Sequence, residues 1–271
     1  MGEHEDDEAT ATDATALPDI GVLCDAAREA GEIALRYYGN APKTWMKPGN
    51  SPVTEADLAI DRMLHRELRD AFPSFGWLSE EIEDDGSRLS GSPTFIVDPI
   101  DGTKGFMAGS DDWAVSIGLV HQGEPVRGVL FNPVRGEMMM ASKGMGASVE
   151  TADGTVSALT PSGREQLSGS LIAHPGRVFP SQPHRKAPRL ASLALRIAAV
   201  ASGRFDGCVA SGGARDWDLA AADALIREAG LVMQTRDGSL PRYDRSSTAH
   251  AVLFCGTAGL CAAMAEFAPG R

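Results

Sequence analysis

Asp98 and Asp101 stand three positions apart and are followed directly by Gly102-Thr103-Lys104. The apolar run Phe95-Ile96-Val97 before them reads as a buried strand. Pro99 cannot continue a central ladder, so the strand is expected to stop at Asp98, at its carboxyl end. If the chain turns into a short helix at Gly102, the N–H groups of residues 102 to 104 form an anion site. Two carboxylates beside such a nest repel a phosphate unless a cation lies between, and hard oxygen ligands of this kind select Mg²⁺. One reading is therefore a metal-bridged phosphate site. Asp-Pro and Asp-Gly are also strong turn formers, and a turn accounts for the same residues equally well.

Three further acidic positions have two readings each. Thr54 is a natural helix cap, and Asp57, three residues on, completes a capping box. Glu80-Glu81 follows a short apolar run and by itself is an ordinary solvated pair. Asp218 precedes an apolar helical stretch, where an acid complements the positive end of the helix dipole.

Asp98-Pro99-Ile100-Asp101-Gly102-Thr103 resembles the signature of the inositol monophosphatase superfamily, whose members are Mg²⁺-dependent, lithium-sensitive phosphatases. Trp217-Asp218-Leu219-Ala220-Ala221 resembles its second motif, in the same order along the chain, and the resemblance extends from about residue 20 to about residue 257. It implies two or three Mg²⁺ ions held by Glu80, Asp98, the carbonyl oxygen of Ile100, Asp101 and Asp218, with Asp218 also facing the substrate. It further implies that Asp57 and Thr103 activate a water, and that the N–H groups of Gly102 and Thr103 cradle the phosphate. The expected activity is hydrolysis of a phosphate monoester.

Lys104, with Phe106 after it, resembles the branch of that superfamily acting as 3′(2′),5′-bisphosphate nucleotidases, which convert adenosine 3′,5′-bisphosphate to AMP. Seven Lys or Arg residues against one acid, Glu165, lie between Arg164 and Arg204, and Arg185 in this stretch is a candidate contact to a second phosphate. A solvated basic loop explains the stretch as well, and Phe179 is the one aromatic there to stack a base. The alternative is an inositol-1-monophosphatase, or a phosphatase of another small sugar phosphate or of histidinol phosphate, on the same scaffold.

The elements that must position these groups follow from patterning. With 271 residues and 43% hydrophobic content the chain can bury a core unaided. A helix is expected from Ile20 to Tyr38 behind Asp19, a loop from Ala41 to Pro52 and a helix from Thr54 to Phe72. Strands are expected at Phe75–Leu78, Trp113–Val120, Val126–Asn132 and Gly136–Ser142. Beyond residue 150 strand and helix alternate, with strands at Ser170–His174, Gly207–Ser211 and Ala251–Cys255 and helices at Ser192–Ser202 and Leu219–Ala229. The consecutive Met138, Met139 and Met140 read as core. The expected fold is α+β, a layered α-β-α-β-α sandwich of the inositol monophosphatase and fructose-1,6-bisphosphatase type, with an antiparallel first sheet and a mixed second one. Its parts are an acidic tail (1–18), a subdomain carrying most ligands (19–150) and a subdomain carrying Asp218 (151–271).

Half of the net charge of −12 lies in residues 1 to 16, which hold six acids and no Lys or Arg, so that tail is expected to be disordered. The rest of the chain is only mildly acidic, which admits a phosphorylated substrate. Low aromatic content and overall charge exclude a nucleic-acid binder. No run reaches the ~20 apolar residues of a membrane span, no secretion signal is visible, and four scattered cysteines suit reduced thiols, so a cytoplasmic protein is expected. Monomer or homodimer is left open.

Overall fold

The computed structural model describes residues 17–47, 51–176 and 184–267. The acidic tail 1–16 and, within the basic segment, Arg177 and Phe179 lie outside the described residues.

Helix α1 (Ile20–Tyr37) starts at Asp19, whose carboxylate accepts the Gly21 N–H, as the sequence predicts. A hairpin of β1 (Thr44–Lys47) and β2 (Ser51–Thr54) follows, where a loop is expected. Its Pro residues mislead: Pro52 sits on a two-stranded ribbon, where every strand is an edge and a missing N–H is tolerated. Helix α2 (Glu55–Ala71) begins on the Thr54–Asp57 capping box.

The first sheet has seven strands in the order of the chain: β3 (Gly76–Ser79), β4 (Thr94–Asp101), β5 (Ala114–His121), β6 (Glu124–Asn132), β7 (Glu137–Ser142), β8 (Gly146–Glu150) and β9 (Val156–Ala158). Five of its pairings are antiparallel, but β3 runs parallel to β4, so the sheet is mixed at that edge. It runs on past residue 150 to Ala158, and helix α3 (Thr103–Met107) interrupts it after β4.

The second sheet contains β10 (Leu171–Ala173), β11 (Arg185–Lys186), β12 (Gly207–Ala210), β13 (Val232–Gln234) and β14 (Leu253–Gly256), in the spatial order β11-β10-β12-β14-β13. It is mixed, as expected. Strands of two or three residues such as β9, β11 and β13 carry no periodicity long enough to read from sequence.

Helices α1 and α2 cover one face of the first sheet, around a core that includes Leu23, Ile60, Phe95 and Trp113. Helices α4 (Leu193–Ala201) and α5 (Asp216–Glu228) lie between the sheets, in a second core with Ile96, Leu130, Cys208 and Leu253. Helix α6 (Ala258–Phe267), not expected from the sequence, closes the outer face through Leu260, Cys261 and Met264. The five layers are those of an α-β-α-β-α sandwich. Helix α5 lies close on the first sheet: a Cβ at Gly128 would meet the Ala221 carbonyl oxygen at 2.3 Å. Glycine there sets the depth of the helix, and so the height at which Asp218 meets β4. None of the described helices is long and apolar enough to cross a membrane.

Candidate active site

Strand β4 does not stop at Asp98 but runs through Pro99 to Asp101, with its register on β5 broken between the two acids. The break has a consequence for chemistry. Side chains alternate along a strand, so positions three apart face opposite ways unless an irregularity intervenes. Here the irregularity turns Asp98 and Asp101 to a common centre, and Pro99 sits within it, where no ladder bond is required of its nitrogen.

Asp98 Oδ1 accepts the Ile100 N–H at 3.0 Å. Asp101 reaches into the other half of the chain: it accepts the Ser192 hydroxyl, the Ala194 N–H at 2.7 Å and the Leu193 N–H at 3.3 Å, and so caps α4. Gly102 lets this approach happen. Its φ is +98°, and a Cβ there would lie 3.0 Å from the Ser192 nitrogen. Asp218, in the first turn of α5, accepts the Arg215 N–H at 2.7 Å. Oxygens of Asp98, Asp101 and Asp218 all lie within 4.8 Å of one another.

Asp57 makes the helix cap with one oxygen and faces Thr103 with the other. Oδ2 accepts the Thr54 N–H at 2.8 Å and the Thr54 hydroxyl at 2.5 Å, which is the capping box, while Oδ1 stands 3.5 Å from the Thr103 hydroxyl. Thr103 Oγ1 also lies 3.2 Å from the Ile100 carbonyl oxygen. The first bonds of α3 run from the Gly105 and Phe106 N–H groups to the Gly102 carbonyl, so the N–H groups before them lie outside the helix ladder.

A cavity of about 180 Å³ is lined by Glu80, Asp98, Ile100, Asp101, Gly102, Thr103, Lys104 and Asp218, with Pro52 and Ala191. Of the expected site residues, Asp57 joins it through Thr103, whereas Arg185 stands exposed on the edge strand β11 and does not line it. A larger cavity, about 1130 Å³, lies along the second sheet beside Ser211, Gly213, Arg236 and His250 and holds none of the expected residues.

Sequence reasoning missed two partners. Lys47 at the end of β1 bridges Glu80 at 2.6 Å and Glu81 at 2.9 Å, a contact hidden by reading its segment as loop. Asp61, one turn after Asp57 on α2, is buried, accepts the Ser79 hydroxyl at 2.9 Å and has no partner for its other oxygen. The i, i+4 spacing of Asp57 and Asp61 was the available signal.

Burial raises these carboxyls. Asp98 is pushed well above the usual carboxylate range by burial and then by the charges of Glu80, Asp101 and Asp218. Burial, with Asp101 beside it, takes Asp218 to about 7. Burial also raises Asp101 despite the hydrogen bonds from Ser192 and α4, and takes Asp57 to about 6. Buried acids that repel one another in this way suit a divalent cation held among them, and an all-oxygen donor set selects a hard one.

The layered fold, with its acidic cluster where the two halves meet, defines a phosphatase of the metal-dependent class. The profile of the inositol monophosphatase family matches residues 17–266, and the chain belongs to that family, whose members are phosphoric monoester hydrolases. It is 34% identical over 248 residues to an inositol-1-monophosphatase of Mesorhizobium japonicum, covering 84% of this chain and 89% of that one. It is 30% identical over 254 residues to the Nus factor SuhB of Xylella fastidiosa, covering 88% and 90%. The crystal structure of the extragenic suppressor protein SuhB from Bartonella henselae superposes with a TM-score of 0.78 at 30% identity, covering 91% of this chain and 96% of that one. None of the three carries a nucleotidase name, so the comparisons support the family and not the nucleotidase branch.

Proposed function

We propose that the chain is a Mg²⁺-dependent phosphatase of small phosphate monoesters, with inositol 1-phosphate as its best substrate of those considered. The observation carrying the reaction is the convergence of Asp98 and Asp101 from one half with Asp218 from the other, within 4.8 Å. Together with Glu80 and the Ile100 carbonyl they are the proposed ligands. Bound Mg²⁺ would lower the pKa of water and neutralise the phosphoryl and leaving oxygens.

The chain's own groups do the rest. Thr103 and Asp57 orient the attacking water and take its proton, Asp57 being suited to a base by a pKa near 6. As the water oxygen bonds to phosphorus the ester P–O bond breaks, and the departing alcohol takes up a proton. N–H groups of Gly102 and Thr103 receive the phosphoryl oxygens. The substrate preference rests on the inositol-1-monophosphatase relatives at 31 to 34% identity.

A bisphosphate nucleotidase is the second reading, favoured by Lys104, which lines the cavity and is exposed at its rim. The placement of Arg185 adds nothing to it. Phosphate release from inositol 1-phosphate, adenosine 3′,5′-bisphosphate and adenosine 3′-monophosphate, with Mg²⁺ and after EDTA, tests both. The expected result is turnover only with Mg²⁺, inhibition by Li⁺ beyond that of equal Na⁺, and the highest kcat/KM on inositol 1-phosphate. Undiminished activity in EDTA overturns the metal reading. A tenfold preference for the bisphosphate over both others puts the second reading in place of the first.

A further inference from the structure

We infer that His250 is a positioning residue for Asp218, acting through Asp216 as the inner end of a clamp that holds the first turn of α5. The inference rests on reading Asp218 as a metal ligand.

The backbone of residues 248–250 is zipped onto the segment that leads into α5. Asp216 N–H donates to the Thr248 carbonyl at 3.0 Å, His250 N–H to the Ala214 carbonyl at 2.9 Å and Gly213 N–H to the His250 carbonyl at 2.8 Å, around an isolated bridge between Arg215 and Ala249. The side chains repeat the tie. His250 Nε2 lies 2.6 Å from Asp216 Oδ1, and both residues are buried. Asp216 Oδ2 has no hydrogen-bond partner, so the imidazole is what satisfies this carboxylate. Asp216 opens the first turn of α5, and Asp218 follows in that same turn, its carboxylate folded back on the Arg215 N–H. A shift of Asp216 therefore moves the Asp218 carboxylate.

The clamp continues outward. Arg245 Nη2 lies 3.5 Å from His250 Nδ1 and donates to the Ala249 carbonyl at 3.3 Å, and the Arg245 carbonyl accepts from Arg88 Nη2 at 2.9 Å. Arg88 is buried and bridges Asp84 at 2.9 Å, on the segment that leaves Glu80. Asp84, four residues after the cavity-lining Glu80, is thus linked to the first turn of α5 through Arg88, Arg245, His250 and Asp216. Gly128 fixes how deeply α5 lies on the sheet, while this chain of contacts fixes its first turn. Groups that hold a ligand side chain from behind commonly account for tenfold to hundredfold of metal affinity.

The test is Mn²⁺ binding to the otherwise metal-free, folded full chain, read from the free-ion electron paramagnetic resonance signal, with melting temperature measured alongside. His250→Ala is expected to weaken Mn²⁺ about tenfold and to raise by the same factor the Mg²⁺ needed for half-maximal turnover, with KM at saturating Mg²⁺ unchanged. His250→Gln, which keeps a donor toward Asp216, should recover much of the loss. Met264→Ala, a cavity in the distant α6 core, should lower the melting temperature and leave Mn²⁺ affinity alone. If His250→Ala does not fold, exposed Arg245→Ala decides, with an expected threefold loss. Affinity within twofold of the parent in the deciding variant, or an equal loss in Met264→Ala, overturns the inference. Absence of Mn²⁺ binding in the parent chain overturns the metal reading and this inference with it.

Discussion

Two groups of carboxylates meet around the cavity that Glu80, Asp98, Asp101 and Asp218 line, and they are balanced in opposite ways. Glu80 and Glu81 share the Lys47 ammonium, at 2.6 and 2.9 Å. That contact holds Lys47 above its ordinary range in spite of burial. Among the described residues no Lys, Arg or His forms an ion pair with Asp98, Asp101 or Asp218, whose oxygens crowd within 4.8 Å. The first group carries its counter-charge in the chain, on a hairpin. The second has no such partner in the chain, and it is made from a strand end, a helix cap and a helix first turn. Difference in compensation thus separates a pair balanced by a lysine on β1 from a trio brought together by a strand end and two helix starts.

Removing a charge from the uncompensated trio is the strongest way to break the contrast. Asp218→Asn is expected to lower kcat at least a thousandfold while raising the melting temperature of the metal-free protein at pH 8, because a buried acid pushed to about 7 by burial and by Asp101 is relieved of its charge. Phosphate release and thermal unfolding check the two halves of that statement. Asp101→Asn should lose activity equally without the gain in stability, since it also disturbs the cap of α4, worth about 1 kcal/mol. A rise in melting temperature equal to that of Asp218→Asn would show that the cap contributes little.

The compensated pair responds differently. Lys47→Met leaves Glu80 and Glu81 as an unbalanced, partly buried pair, which should cost roughly 1 to 2 kcal/mol in the metal-free protein. Mg²⁺ should restore most of it, so the rise in melting temperature on adding Mg²⁺ is larger in the mutant than in the parent. An equal rise would show that Glu80 is not a ligand.

How much of this was legible depended on the kind of signal. Helices α1, α2 and α5 carried caps and long apolar faces, and their bounds were readable to within a few residues. The trio was readable because its residues lie in two compact motifs. Its common facing was not, because it depends on a register break that a pattern of alternation cannot show. The Lys47 and His250–Asp216 contacts join residues 33 or more positions apart, with no local motif to announce them, and Asp61 meets Ser79 across 18 positions, signalled only by its i, i+4 spacing from Asp57. The expected contact of Arg185 with a second phosphate rests on charge density alone, and density does not say where on a sheet a residue will stand.

A smaller effect concerns the pH dependence that Asp61 contributes. Burial takes Asp61 to about 7, against an ordinary carboxylate near 4. A carboxyl raised in the folded state favours folding while both states are protonated, below about pH 4, and that contribution is lost as pH rises through 7. Metal-free protein should therefore lose stability from pH 5 to pH 8. Asp61→Asn, keeping the volume and the Ser79 contact, should flatten this slope and gain on the order of 1 to 2 kcal/mol at pH 8. Denaturant unfolding at the two pH values measures it, and an unchanged slope would mean that Asp61 stays ionised in the folded chain.

The smallest expected effect is the most informative about substrate. Lys104 is exposed, contacts the cavity only at its rim, and follows Thr103 on the short helix α3. Under the proposed mechanism the single phosphate of a monoester would lie among Asp98, Asp101 and Asp218, where the bound cations would take its charge, so the ammonium would see little beyond solvent. An exposed charge of this kind contributes about 0 to 1 kcal/mol. Lys104→Ala should therefore change kcat/KM on inositol 1-phosphate by no more than about threefold. A bisphosphate presents a second anion beyond the first, and a charge-assisted bond to it would be worth about 1.5 to 3 kcal/mol, a tenfold or greater loss on the same mutation. Measuring one mutant on both compounds at two salt concentrations separates the cases, since screening weakens only the exposed contact. A tenfold, salt-sensitive loss confined to the bisphosphate would make Lys104 a specificity residue and shift the assignment from the inositol phosphate to the nucleotide.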